Sequence, residues 1–230
     1  MFFGNMMFAL ISLQISKIVE QAQNSKRIYI VRHGQTDYNK KGMVQGRGID
    51  APLNENGINQ ANAFFRAYGD VPFEKAYVSS LQRTKQSIQG FLDGGLPYES
   101  LPGLDEISWG SQEGVAFSPE NKNLYVETIE KWKSGEVDQV VAGGESPIDV
   151  MKRQEEAMAH ILKGDEKLIL ICMHGRAIRI LMSWLLNYEL KEMDEFPHTN
   201  LGLYQLFYTG SSFQVEKLND VGHLEGLVLT

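Results

Sequence analysis

The stretch that most constrains this chain is Ile28-Tyr29-Ile30-Val31-Arg32-His33-Gly34-Gln35-Thr36. Its first four residues are apolar or β-prone and read as a buried strand. The strand runs directly into Arg-His-Gly, and glycine permits a tight turn with close approach of the backbone to a ligand. A guanidinium and an imidazole are therefore delivered together at the carboxyl end of a strand, where open α/β sheets bind ligands. The device recurs once, at Leu168-Ile169-Leu170-Ile171-Cys172-Met173-His174-Gly175. Two such strands in one parallel sheet bring two imidazoles to the same edge.

Strands and helices alternate along the rest of the chain. Asp37 to Asn54 reads as loop. Asn54 is a helix cap, and the helix to about Tyr68 should bury Ile58, Ala61, Phe64 and Phe65. Lys75–Ser79 reads as a strand, and Ser80 as the cap of a helix over about Leu81 to Leu92, stopped by Gly94-Gly95. Pro97 to Gly114 is loop with room for a short strand. A polar helix is expected over Ser118–Ser134. Ser146-Pro147 is a strong helix start, and that helix should reach about Lys163. Lys167–Met173 is a parallel strand and Arg176–Asn187 an apolar helix. Leu201–Tyr208 and Phe213–Leu218, joined by Thr209-Gly210-Ser211-Ser212, read as a hairpin. The expected fold is three-layer α/β/α, with a mostly parallel sheet and an antiparallel edge.

The 230 residues fit a single domain over 26–230, with residues 1–25 as an N-terminal extension. Residues 1–13 are apolar but interrupted, which is too short for a spanning helix. No basic residue precedes Lys17 and no clear cleavage site follows, so the chain reads as cytoplasmic and not membrane-bound, with a degenerate export signal as the alternative. The net charge of −7 argues against a nucleic-acid surface. The single cysteine, Cys172, excludes disulfides and cysteine-rich metal sites and reads as a buried structural thiol. His160, His198 and His223, taken singly, read as solvated or structurally satisfied.

His33 and His174 stand apart. No His-x-x-x-His or ligand-spaced carboxylates accompany them, and Arg32 would repel a metal cation. It would attract an anion, since guanidinium binds phosphate bidentately. Arg83, in the first turn of a helix behind a strand, is a second candidate, because helix N-termini favour anions.

These residues resemble the histidine phosphatase superfamily, in its phosphoglycerate mutase-like branch, from about Ile28 to Asn200. Arg32-His33-Gly34-Gln35-Thr36-Asp37-Tyr38-Asn39 is similar to the family's Arg-His-Gly-x-Thr-x-x-Asn. Gln45-Gly46-Arg47-Gly48-Ile49-Asp50-Ala51-Pro52-Leu53 is similar to its Gln-Gly-x-x-Asp-x-Pro-Leu segment, and Ser79-Ser80-Leu81-Gln82-Arg83 to its Ser-Ser-x-x-Arg. Leu104-Asp105-Glu106-Ile107 with Gly110 and Glu113-Gly114, then Gly143-Gly144-Glu145-Ser146 and Met173-His174-Gly175, complete an ordered series. Arg-His-Gly alone would be weak; six ordered segments are specific.

The resemblance implies roles. His33 would take the phosphoryl group. Arg32, Arg83 and an imidazolium at His174 would surround its oxygens, with further contacts from Asn39, Gln45, Gly46 and Gly175. Glu106 would protonate the leaving oxygen and then activate water. No metal or other cofactor is implied. The partners would be a small phosphorylated substrate and inorganic phosphate as product; the oligomeric state stays open. Residues 111–145 would cover the site. The chain departs from the family pattern at Gln112, where tryptophan is common, and at Met43, where arginine is common. His198 and Asn200 resemble a Pro-Asn segment of the family. Glu113 is the rival acid, but Glu106 follows Leu104-Asp105 as the family's acid does. A metal-independent phosphomonoester hydrolase is the leading expectation. A phosphoglycerate mutase is the alternative, although Gly114 to Gly143 is short and rich in glutamate where mutases carry a longer basic insertion. A non-catalytic phosphate-binding protein comes third.

Overall fold

The computed structural model describes residues 24–115 and 119–229. Strand β1 (Lys26–Arg32) leads to a helical turn α1 (Asp37–Lys40), helix α2 (Glu55–Tyr68) and strand β2 (Lys75–Val78). Helices α3 (Gln82–Ser87) and α4 (Gln89–Asp93) precede the short strand β3 (Tyr98–Ser100). Helices α5 (Pro119–Ser134) and α6 (Pro147–Lys163), strand β4 (Leu168–Met173) and helix α7 (Gly175–Leu185) follow. The hairpin β5 (Leu203–Tyr208) and β6 (Phe213–Asp220) closes the order.

The six strands form one sheet in the order β3-β2-β4-β1-β5-β6. β4 pairs in parallel with β1 and with β2, and β3 in parallel with β2, whereas β5 runs antiparallel to β1 and to β6. The expected parallel sheet with an antiparallel edge is therefore what forms. Side chains of the central strands alternate between two apolar cores, as the two-residue strand period requires. Ile28, Ile30, Ile169, Ile171 and Met173 face Met158 and Ile161 of α6 and Ile178 and Leu181 of α7. Tyr29, Val31, Leu170 and Cys172 face Phe64 of α2 and Ile88 and Phe91 beside α4. Each such side chain contributes about 1.5–3 kcal/mol on full burial, so the two strands that carry the histidines are among the most firmly held parts of the chain. A third cluster joins Ile107, Trp109, Ile129, Trp132, Val141 and Ile180, tying α5 to α7.

Four local expectations are corrected. Asp37–Lys40 is a helical turn inside the expected loop, because Thr36 accepts from the Asn39 amide while Asn39 accepts from the Thr36 amide, forming a capping box. On α2 the buried face is Gly57, Gln60, Ala61, Ala63 and Phe64, while Ile58 is 51% and Phe65 38% exposed. Gln60 holds the inward place because its Oε1 accepts from the Gln35 amide and its Nε2 donates to the Val228 carbonyl. The helix expected over Leu81 to Leu92 breaks at Ile88 into α3 and α4, and Leu81 is its N-cap with no side-chain bond. Ser80 is not the cap because its hydroxyl is drawn to the Asp105 carboxylate at 2.7 Å. Asn54 and Ser146 cap as expected, the latter in a capping box with Asp149. The reading of residues 1–23 as an extension, and of Ser118 as a helix start, lies outside the described residues.

Candidate active site

The register of β1 against β4 pairs Arg32 with Met173, so the next residue of each strand is a histidine. The His33 amide donates to the Met173 carbonyl at 2.9 Å, extending the ladder by one rung. The two imidazole centroids lie 5.1 Å apart. The sequence pattern thus produces the juxtaposition it implied. The two rings then diverge in what holds them.

His33 Nδ1 lies 2.7 Å from the Gly34 carbonyl oxygen. A carbonyl can only accept, so Nδ1 carries the proton and Nε2 keeps its lone pair. The chain turns tightly at Gly34: a Cβ there would lie 2.7 Å from the Gly57 carbonyl oxygen. The Gly34 amide donates to Ser87, and Asn200 Nδ2 donates to the His33 carbonyl at 2.8 Å. Burial, then the charges of Arg83 and Arg32, push the His33 ring well below the ordinary imidazole range. It is neutral at physiological pH.

His174 is fully buried. Its Nδ1 accepts from Arg83 Nε at 3.2 Å, and its Nε2 lies 2.8 Å from Ser79 Oγ. Burial and the same cation lower its pKa far below the usual value. The imidazolium expected at His174 is therefore not present: a proton would have to enter a buried site already facing Arg83. Gly175 follows as the first residue of α7, whose N-terminal amides are taken by Glu106. The Glu106 carboxylate accepts from Ala177 N at 2.9 Å, Arg176 N at 3.2 Å and Ile107 N at 3.0 Å. A helix N-terminus suits a carboxylate.

The Glu106 segment is fixed from behind by Arg153 of α6. Its guanidinium donates to the carbonyls of Gly103, Asp105 and Glu106 and grips Glu145 through Nε and Nη2. This explains the place of Gly143-Gly144-Glu145-Ser146 in the motif series. Gly144 is forced, since a Cβ would meet the Ser108 carbonyl oxygen at 2.7 Å.

A cleft opens over the strand ends, lined by Arg32, His33, Asn39, Met43, Gln45, Glu106, Trp109, Tyr125, Gly175, Arg176 and His198, among others. Arg32 Nη1 donates to the His198 carbonyl at 2.8 Å and lies 3.3 Å from its ring. Gln45 Oε1 accepts from Thr36, while its Nε2 is buried without a partner. Asn39 accepts from the Asn200 amide group. Burial lowers Arg32 and Arg83 each to about 10, with Glu106 opposing the shift, so both remain charged. Arg83 and His174 lie behind His33 and do not line the cleft. Arg83 donates to the carbonyls of Ile49 and Gly46, which places Gly46 as a backbone acceptor. Glu113 does not line the cleft either: its Oε1 accepts from Trp109 N and Ser108 Oγ, a loop-binding role. Among the described residues no group of three or more His, Cys, Asp or Glu side chains could hold a metal ion.

Among the lining residues not assigned to the site from sequence are His198, Arg176 and Tyr125. His198 is not solvated: it packs on Arg32, and burial, followed by Arg32 and Arg179, drives its pKa down to about 3. Arg176 is 7% exposed and pairs with Asp194. Tyr125 stacks on Trp109, with centroids 4.8 Å apart. Arg176 could have been found, since it follows a strand-end His-Gly by one residue. His198 gave a signal only through its resemblance to a Pro-Asn segment. Cys172 is buried and its thiol is pushed up by burial, as a structural cysteine should be. No helix of the described residues is long and apolar enough to cross a membrane.

A model of the histidine phosphatase superfamily (branch 1) matches residues 28–221. The fructose-2,6-bisphosphatase TIGAR of Mus musculus is 41% identical over 96 residues. That match covers 39% of this chain and 35% of the mouse protein, so the chain aligns with about a third of that relative's length. A putative phosphoserine phosphatase 2 of Hydrogenobacter thermophilus is 26% identical over 208 residues, covering 88% of this chain and 99% of the relative. Among solved structures, a phosphoserine phosphatase from Entamoeba histolytica in complex with 3-phosphoglyceric acid superposes with a TM-score of 0.74 at 25% identity, covering 86% of this chain and 99% of that one. The alpha-ribazole phosphatase of Shigella flexneri has the same fold, with a TM-score of 0.74 at 23% identity, covering 84% of this chain and 96% of the other.

Proposed function

From the premise that the chain belongs to the histidine phosphatase superfamily, we propose that it is a metal-independent phosphomonoester hydrolase acting on a small phosphorylated metabolite through a phosphohistidine at His33. The observation that carries this reading is the state of His33. Its Nδ1 proton is pinned by the Gly34 carbonyl, its ring is neutral, and it lines the cleft, so Nε2 is a ready nucleophile.

In the first step Nε2 bonds to phosphorus while the ester P–O bond breaks, its electron pair leaving with the alkoxide oxygen. The phosphate dianion arriving beside Glu106 favours its protonated carboxyl, which gives that oxygen a proton. A phosphate monoester carries about −1.5 to −2 charges. Arg32 at the cleft wall and Arg83 behind it supply compensating charge where the equatorial oxygens gather. Neutral His174 holds Arg83 by Nδ1 and so acts on the phosphoryl pocket through that arginine. Gln45 Nε2, buried and unpartnered, is a donor waiting for an oxygen, and Asn39 and Gly175 complete the wall. In the second step a water oxygen bonds to phosphorus as the P–Nε2 bond breaks, its electron pair returning to His33; Glu106 takes the water proton, and inorganic phosphate leaves. Residues 26–230 act as one catalytic domain in this reading, with 111–145 as the cover that brings Tyr125 to the cleft.

The test is hydrolysis of p-nitrophenyl phosphate by the purified chain, with and without EDTA. Turnover unaffected by chelation supports the reading. Loss of turnover restored by one divalent ion contradicts it, and a requirement for a bisphosphoglycerate primer marks a mutase instead.

A further inference from the structure

The cleft and the wall behind it hold more positive charge than one phosphoryl group needs. Arg32 in the lining and Arg83 behind His33 already match a dianion. Arg176 adds a second guanidinium to the lining itself, 7% exposed, planted in the first turn of α7. Its Nη1 donates to Asp194 at 2.5 Å. That carboxylate is shared with Arg179, so two guanidiniums face one carboxylate and a net positive charge remains. Lys133 adds to the field at Asp194. Among the described residues the only carboxylate lining the cleft is Glu106, and three backbone amides already engage it.

The surroundings of Arg176 favour use of that charge. Its guanidinium lies over the Trp132 ring, 5.7 Å from the centroid, which fixes its plane. Trp109, Tyr125 and Met43 line the same cleft, and the guanidinium is itself largely buried, which strengthens an ion pair formed there. A planar fork bonds carboxylate and phosphate alike, through two parallel N–H donors. The asymmetry also has a direction. Arg32, Arg176 and Arg179 all act on His198 and help to hold it neutral, so the cation cluster extends along the cleft from the phosphoryl pocket.

We propose that Arg176 forms a second anion subsite, so that the substrate is a phosphomonoester bearing another anionic group, a carboxylate or a second phosphate. The inference rests on the phosphatase reading. Arg176 is then the residue that selects doubly anionic substrates over neutral alcohol phosphates. The rival role is mechanical: a clamp that joins α7 to the cover helix through Trp132 and Asp194. A clamp would affect all substrates alike.

The experiment compares matched substrate pairs. Phosphoglycolate against 2-hydroxyethyl phosphate tests a carboxylate. Fructose 1,6-bisphosphate against fructose 6-phosphate tests a second phosphate. p-Nitrophenyl phosphate monitors the chemistry itself. In the unaltered chain, kcat/KM for the anionic member of at least one pair should exceed that of its neutral partner by about tenfold or more, the scale of a charge-assisted bond. The responding pair identifies the group. In Arg176→Gln that ratio should fall toward one, mainly through KM, and Arg176→Lys should keep part of it. Should the glutamine variant fail to fold in a thermal scan, the lysine variant carries the same comparison by a partial fall. A ratio near one in both pairs, with p-nitrophenyl phosphate hydrolysed, overturns the subsite and leaves the phosphatase standing. A large ratio that survives in the Arg176 variants overturns the assignment to Arg176. Absence of all turnover, p-nitrophenyl phosphate included, defeats the phosphatase reading and the subsite with it.

Discussion

The carboxyl ends of β1 and β4 begin alike and end differently. Each is an apolar strand closing on His-Gly, and the parallel register brings the two rings within 5.1 Å. After His33 the chain enters a loop, and the ring is left with one pinned nitrogen and a face to the cleft. After His174 the chain enters helix α7 at once, and the ring is enclosed, both nitrogens taken by Arg83 and Ser79. In the proposed mechanism one strand end offers the nucleophile; the other builds the wall behind it, and its helix amides donate to Glu106. The difference lies in the element that follows each glycine. Residue type at a strand end tells which chemistry is delivered there, and the next element decides whether it is used directly or through a neighbour.

The comparison can be broken most forcibly at His33. His33→Ala should reduce turnover by on the order of 10⁴-fold or more, the scale of losing a nucleophile, with a circular dichroism spectrum like that of the parent chain. Substantial residual turnover would place the nucleophile elsewhere. Next in size is Glu106→Gln, assayed on two leaving groups. A general acid is worth roughly 10²–10⁴-fold when the alcohol leaves poorly, so an alkyl phosphate should suffer far more than p-nitrophenyl phosphate. Glu113→Gln should slow both substrates slightly and equally, because Glu113 binds the Trp109 loop. The reverse pattern would exchange the two roles.

His174→Ala sharpens the contrast. It leaves Arg83 Nε without its partner, while Ser79 Oγ keeps Thr84 and the Leu81 amide, a loss of about 1–3 kcal/mol in denaturant unfolding. It should slow turnover by roughly 10²-fold through a misplaced Arg83. A loss equal to that of His33→Ala would make the two strand ends equivalent and defeat the comparison.

The buried rings also leave a signature in pH. His33, His174 and His198 all have folded-state pKa values depressed below 6.5. Above about pH 6.5 neither folded nor unfolded chain protonates them, so they add no pH dependence to stability. Below it the unfolded chain takes up protons that the folded chain refuses, and each ring then costs up to about 1.4 kcal/mol per pH unit. Stability should be flat from pH 8 to 6.5 and fall toward pH 5, and each alanine variant should flatten that fall. A rise in stability on acidification would mean that these rings gain protons on folding.

Much of this was legible in sequence for a definite reason. The strand patterns, the Asn54 and Ser146 caps and the terminal hairpin depend on local chemistry, and they form where that chemistry sits. Gln60 illustrates what was not legible: only its partners at Gln35 and Val228, far away in the chain, make a polar residue displace Ile58 and Phe65 from the buried face. Ser80 similarly serves Asp105 across the fold and not its own helix. At the site, the positions of His33, Arg32 and Glu106 follow from strand ends and motif order. The neutrality of His174 does not, because it depends on burial and on a cation brought from another segment. His198 lay hidden for the same reason: its role exists only once β5 returns alongside β1.

The most direct test of the central claim is to quench turnover of a phosphoryl-labelled substrate in base and map the label by mass spectrometry. The expected result is an acid-labile phosphoryl group on the peptide that contains His33, formed and discharged at rates competent for turnover, and absent from His33→Ala. Label on the His174 peptide, or steady turnover with no labelled intermediate in rapid-quench samples, would contradict it.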